Sequence, residues 1–238
     1  ISLPKPYRYI GANEFFGYGV DNDEIKPMPL IRKITETNFV NTRKKTVGDL
    51  PDSLKYAMKC FLISIAVRNC RGEINKPNTM LIHVARIKNM QEMLERKVRD
   101  YFCNELQPMI IDGDREIMKN DYVPTTNSMI NDFRRYMEGA ENFSLDEVYQ
   151  EILRLMNDEK IRINVINGNS KDSLAYKEHE GEEYNVIAIG GDKFSRGLTL
   201  EGLSISYFTR ESKYYDTLMQ MGRWFGFRPK YADLCRVF

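Results

Sequence analysis

The sequence predicts an α/β protein with a mostly parallel sheet flanked by helices, and three observations carry that prediction. Short β-type runs at 161–166, 186–189, 203–208 and 234–238 fill its last third. An earlier run, Thr79–Ala85, is almost continuously apolar, as expected of a strand covered on both faces. Several of the intervening stretches carry apolar residues every three and four positions. Strands alternating with helices imply right-handed crossovers and parallel pairing.

The composition suits one large domain or two small ones. The 238 residues are 42% hydrophobic and 29% charged, which sets aside a disordered tail, a collagen-like rod and a disulfide scaffold. No apolar run approaches the roughly 20 residues needed to span a bilayer, and no signal-peptide pattern opens the chain. The expectation is a cytoplasmic protein without a membrane partner. A net charge of +1 argues neither for nor against nucleic acid. Cys60, Cys70, Cys103 and Cys235 show no CxxC spacing, and His83 and His179 lie far apart, so reduced thiols and no zinc site are expected.

Taken in order, residues 1–50 read as an irregular arm. Pro4, Pro6, Gly11, Gly17, Gly19, Pro27 and Pro29 interrupt it, and Tyr7, Tyr9, Phe15, Phe16 and Tyr18 are suited to pack it onto the body. The body, 51–238, begins with an amphipathic helix over about 52–70, carried by Leu54, Ala57, Met58, Phe61, Leu62 and Ile65. After the Thr79–Ala85 strand, Met90, Met93, Leu94, Val98, Tyr101 and Phe102 predict a second helix. A helical insertion over about 108–160 follows. Met129, Ile130, Phe133, Tyr136 and Met137 line one of its helices. Leu145, Val148, Ile152, Leu155 and Met156 line another, with Ser144 and Glu147 spaced as a capping box. A last helical pattern occupies about 213–225. The chain opens at Ile1 without an initiator methionine and stops inside the apolar run Leu234–Phe238, so a segment of a longer protein is expected.

Two segments carry chemistry. In the first, the apolar run 186–189 opens into Gly190-Gly191-Asp192-Lys193-Phe194-Ser195-Arg196-Gly197-Leu198-Thr199. A glycine-rich loop at the carboxyl end of a parallel strand lets backbone N–H groups approach an anion. The plainer alternative is a tight turn needing positive φ at Gly190 or Gly191. The second segment is Thr217-Leu218-Met219-Gln220-Met221-Gly222-Arg223-Trp224-Phe225-Gly226-Phe227-Arg228-Pro229. Residues 193–238 hold eight cations against four acids, a local excess the whole chain lacks. Solvated, snorkelling arginines are the plain reading there.

Together, the strand, Ser-Arg-Gly-Leu-Thr-Leu loop, strand and Gln-x-Gly-Arg helix resemble the second RecA-like domain of superfamily 2 helicases. Asp192 and Ser195–Leu198 resemble motif V of that superfamily. Gln220, Arg223 and Arg228 resemble motif VI, and the Thr79–Ala85 strand with its helix resembles the motif IV unit. More narrowly, GGDKFSRGLTLEGL, YFTRESKYYDTLMQMGRWFGFRP and YADLCRVF resemble the Z-one domain of restriction-associated endonucleases that carry a helicase-type ATPase. The specific likeness covers about 184–238.

The resemblance implies a RecA-like sheet in which Gln220, Arg223 and Arg228 act on ATP. Gly190, Gly191, Asp192, Gly197 and Thr199 would form the nucleotide loop, and Arg86, Lys88, Ser195 and Arg196 would contact DNA. It also implies ATP with Mg2+ held mostly by a separate N-terminal P-loop half, because this sequence has no GxxxxGK[ST]. The motifs depart from the usual pattern in two places. The spacing here is Gln-x-Gly-Arg, with the second arginine five residues on, so either arginine could be the finger. Thr199 stands where an aspartate often sits. Two other classes compete with the motor. Asp112, Asp114, Glu116 and Lys119 offer the spacing of a metal-dependent nuclease after the run Met109-Ile110-Ile111, which is compatible with a strand end. A non-catalytic RecA-like scaffold would use the arm and the inserted helices as docking surfaces. His83 reads as a satisfied core histidine, and His179 as part of a mobile polar loop, Lys177–Glu183.

Overall fold

A computed structural model describes residues 9–11, 30–36, 38–84, 87–113, 143–166, 174–191, 200–209, 226–227 and 230–238. In chain order, β1 is Tyr9–Ile10, and β2 (Val40–Asn41) and β3 (Thr46–Val47) form a small antiparallel hairpin. Helix α1 spans Asp52–Cys70, β4 Asn78–His83 and α2 Lys88–Tyr101. A π-helical turn, Phe102–Leu106, joins α2 to α3, Gln107–Asp112. The turn sits just before Pro108, which has no N–H to donate back along a helix. Helix α4 is Leu145–Asn157, and strands β5 and β6 are Ile161–Ile166 and Asn185–Gly190. Strand β7 is Leu203–Phe208, β8 is Gly226–Phe227, which pairs antiparallel with β1, and β9 is Arg236–Val237.

The main sheet has the order β5-β6-β4-β7-β9, and each of its strand pairs is parallel. Chain 30–32 runs alongside β9, with Arg32 N–H donating to the Val237 carbonyl at 2.7 Å. The α/β expectation holds. Every residue of β4 and β6 is buried, so these strands have apolar centres on both faces rather than an alternating pattern. Met80, Ile82, Ile187 and Ile189 face a core completed by α1, α2 and α4. Leu81, Val186 and Ala188 face a smaller core closed by Leu174, Tyr184 and Leu200.

Helix α1 departs from the amphipathic expectation. Its residues from Cys60 to Val67 are all buried, because the helix lies between the sheet and α4. Helix α4 keeps its predicted cap: Glu147 N–H donates to Ser144 Oγ at 3.2 Å, and Ser144 N–H donates to Glu147 Oε2 at 2.6 Å. These bonds hold the Glu147 carboxyl below its ordinary pKa. Met109–Ile111 is helical rather than strand-like. Ile110 alone of the three is buried, which is a helical exposure pattern, so the strand-end context expected for the acidic turn is absent. The last run is shorter as a strand than expected. Ala232–Leu234 forms a 3-10 turn, and the strand is reduced to Arg236–Val237, with Phe238 still bonded to Ser206 and Phe208 of β7 through its backbone. The predicted helices around 129–137 and 213–225, and the arm aromatics other than Tyr9, lie outside the described residues. No described helix is long and apolar enough to cross a membrane.

The amino edge of the sheet is fastened by Arg68, at the end of α1. Its Nε donates to Glu73 Oε2 at 2.8 Å and its Nη1 to the Pro77 carbonyl at 2.9 Å, while its guanidinium lies 4.1 Å from the Tyr231 ring centroid. Asn78 accepts from the same guanidinium and donates to Asn185 Oδ1 at 2.8 Å, tying the starts of β4 and β6 together. Gly202 closes this corner at φ +63°, and a Cβ there would lie 1.7 Å from the Pro77 carbonyl oxygen. Both the backbone angle and the missing space therefore require glycine. Gly202→Ala is expected to destabilise the fold by more than about 2 kcal/mol in urea unfolding. A change within about 0.5 kcal/mol of wild type would contradict the close approach.

Candidate functional site at the carboxyl edge of the sheet

Parallel α/β sheets gather strand ends and helix starts on one edge, and loops there can bind ligands without disturbing the core. Here β4 ends at His83, β6 at Gly190 and β7 at Phe208, and these three residues share one register row. Backbone bonds hold the row together. Val84 N–H donates to the Gly190 carbonyl at 2.8 Å, and Thr209 donates through both N–H and Oγ1 to the His83 carbonyl at 3.2 Å. The His83 ring is buried, with its centroid 5.4 Å from that of Phe208, so the core-histidine reading holds for its burial. Gly190 continues β6 as extended strand opposite His83, so the positive-φ turn considered at that position is not present.

Two helix N-termini reach the same edge. Helix α2 starts at Lys88, shortly after β4, and Ile87 before it offers no side-chain cap. The Lys88 ammonium is more than half exposed and lies 3.8 Å from Glu92. Helix α1 meets the edge through Ser53, whose hydroxyl is 2.8 Å from the Tyr207 hydroxyl and whose N–H donates to Glu36 Oε2 at 3.2 Å. A carboxylate on a helix-terminal N–H is favoured by the partial positive charge of that terminus. The Ser53–Tyr207 contact was not foreseen in the sequence. It joins residues 154 positions apart, and no local pattern marks it.

Of the residues singled out from the sequence, Gly190, Gly191 and Lys88 lie within the described part of this edge. Arg86, Asp192, Ser195, Arg196, Gly197, Thr199, Gln220, Arg223 and Arg228 lie outside the described residues. By chain connectivity, 85–86 follows the carboxyl end of β4, 192–199 that of β6, and 210–225 that of β7. Among the described residues no group of His, Cys, Asp and Glu could hold a metal ion. Asp112 ends α3, and Asp114, Glu116 and Lys119 lie outside the described set. His179 differs from the loose loop expected for it. It ends the 3-10 turn Tyr176–His179 and stacks on Tyr184, with ring centroids 4.5 Å apart.

One family model, the Z1 domain, matches residues 53–238. No curated protein and no solved structure matches the chain.

Cys60 and Cys70 are poorly suited to nucleophilic roles. Burial pushes the Cys60 thiol up to about 11, and burial together with the Glu151 and Glu147 carboxylates pushes Cys70 up to about 11. A raised thiol pKa leaves little thiolate at neutral pH. Cys103 is exposed, whereas Cys60 and Cys235 are buried. Iodoacetamide at pH 8, followed by mass spectrometry, should therefore label Cys103 first. Cys60 should react only as the protein unfolds. Labelling of Cys60 as fast as Cys103 in the folded protein would contradict this arrangement.

Proposed function

The chain belongs to the Z1 domain family, and from that premise we propose that residues 51–238 are the second, RecA-like half of a nucleic-acid-dependent ATPase. The motor is of the superfamily 2 helicase type and works on DNA in the cytoplasm, in a restriction or phage-defence system. The observation that carries the reading is the carboxyl edge of the parallel sheet. The unit resembling motif IV is β4 with α2, and the segments resembling motifs V and VI follow in sequence on β6 and β7, which flank β4 in the sheet. A nuclease centred on Asp112 lacks comparable support, since that residue ends a helix rather than a strand.

The chemistry follows from the residue types. ATP with Mg2+ is gripped mainly by a P-loop half that this sequence does not contain. Charge developing on the γ-phosphoryl oxygens is stabilised by a guanidinium from Arg223 or Arg228, which Gln220 helps to position. Gly190, Gly191, Asp192, Gly197 and Thr199 form the loop bordering the nucleotide. Arg86, Lys88, Ser195 and Arg196 contact phosphates of the bound strand, where neutralisation releases counterions.

Two measurements test the reading. Purified 1–238 should show no ATP turnover above background, with or without DNA, and robust turnover would end the two-half scheme. In the motor with both halves present, Arg223→Ala or Arg228→Ala should lower kcat by about 10³-fold or more while nucleotide binding persists. Lysine should not rescue either change, because it lacks the fork geometry. Turnover within a few-fold of wild type for both alanine variants would remove these arginines from catalysis.

A further inference from the structure

On the far side of β5, Arg162, His179, Glu182 and Tyr184 form a cluster that the ATPase reading does not use. Arg162 Nη1 is 2.8 Å from His179 Nε2, and His179 Nδ1 is 2.9 Å from Glu182 Oε2. The imidazole lies nearly parallel to the Tyr184 ring, at 13°, and the Arg162 guanidinium stands 5.0 Å from the centroid of the same ring. A guanidinium has only donors and stays charged, so Nε2 must accept from it. In that arrangement Nδ1 is the ring atom that donates, to Glu182.

We propose that His179 is a pH-gated clasp, closed when the ring is neutral and opened by protonation. A proton on Nε2 would set two donors against each other at that contact and place a second positive charge beside Arg162. Among the described residues, the imidazole meets Arg162 on β5, Glu182 on its own stretch of chain and Tyr184 beneath it, and Glu178 lies near that same tyrosine. The exposed Glu182 can keep the protonated ring, so the bond that is lost is the one to β5. That bond ties β5 to the Leu174–Tyr184 stretch, whose Leu174 and Tyr184 close the second face of the sheet. Acidification thus loosens the connection between β5 and β6 without unfolding the sheet. The proposal is independent of the ATPase reading, since its measurements follow backbone protection and a ring tautomer rather than turnover.

Amide hydrogen exchange on the chain at about pH 8 and about pH 5.5, corrected for intrinsic rates, tests the clasp across the range in which histidine titrates. Amides of 176–184 should lose protection by about fivefold relative to the rest of the protein, the equivalent of one net hydrogen bond. His179→Gln, whose side-chain oxygen can accept from Arg162 at either pH, should show no such change. The same acid-induced loss in His179→Gln, or none in wild type, would overturn the proposal. Nitrogen NMR of the wild-type imidazole decides the matter independently of any variant. A proton on Nδ1 at about pH 8 is the expected result, and a proton on Nε2 would overturn the clasp.

Discussion

The amino edge of the fold depends on one of its buried cations, Arg68. Arg68 is almost fully enclosed at the end of α1, and such a charge is tolerated only when its donors are satisfied. Glu73, the Pro77 carbonyl and Asn78 meet that demand, and each belongs to the chain that turns from α1 into β4. The same corner brings Gly202 against Pro77, and with it the start of β7, while Asn78 reaches across to Asn185 on β6. The starts of three parallel strands are therefore positioned by the satisfaction of one guanidinium. Arg71 adds a second fastening through its two-pronged pair with Asp233, at 2.9 and 2.7 Å, which draws the approach to β9 into the same edge.

A rigid amino edge frees the opposite one. Strands β4 and β6 are buried on both faces, so they can present chemistry only where they end. His83, Gly190 and Phe208 finish in one row, and the starts of α1 and α2 arrive beside them. The start of α2, which no side chain caps, and a glycine in the strand row are compatible with an anionic ligand at this edge, whereas the Ser53 N–H of α1 is taken by Glu36, and the polar bonds at the other edge are consumed in holding the strands. This division of labour between stabilising and functional edges is what favours a nucleotide-linked reading over a site on the helical side.

Much of the architecture was legible because it is locally encoded. The run 161–166 is β5, and Leu203–Phe208 is β7, because both are of strand length and carry β-branched or aromatic residues. Ser144 and Glu147 announced the start of α4 because a capping box is satisfied within four residues. Met109–Ile111 misled because a short apolar run is ambiguous, and Pro108 in the first turn of a helix is not a breaker. The candidate site was legible only through motif order. Lys88, Gly190 and Gly191 are found at the expected edge, but their neighbours there, Ser53 and Tyr207, carry no local signal.

By itself, the sequence determined most of the element types and the parallel α/β class, through periodicity and short motifs, and its match to the Z1 family over 53–238. The tertiary structure decided the strand order β5-β6-β4-β7-β9, the burial of α1 all round between Cys60 and Val67, and the partners of Arg68 and His179. Such features come from contacts between residues distant in the chain, where the satisfaction of buried charge and the filling of space select one arrangement among many with the same local pattern.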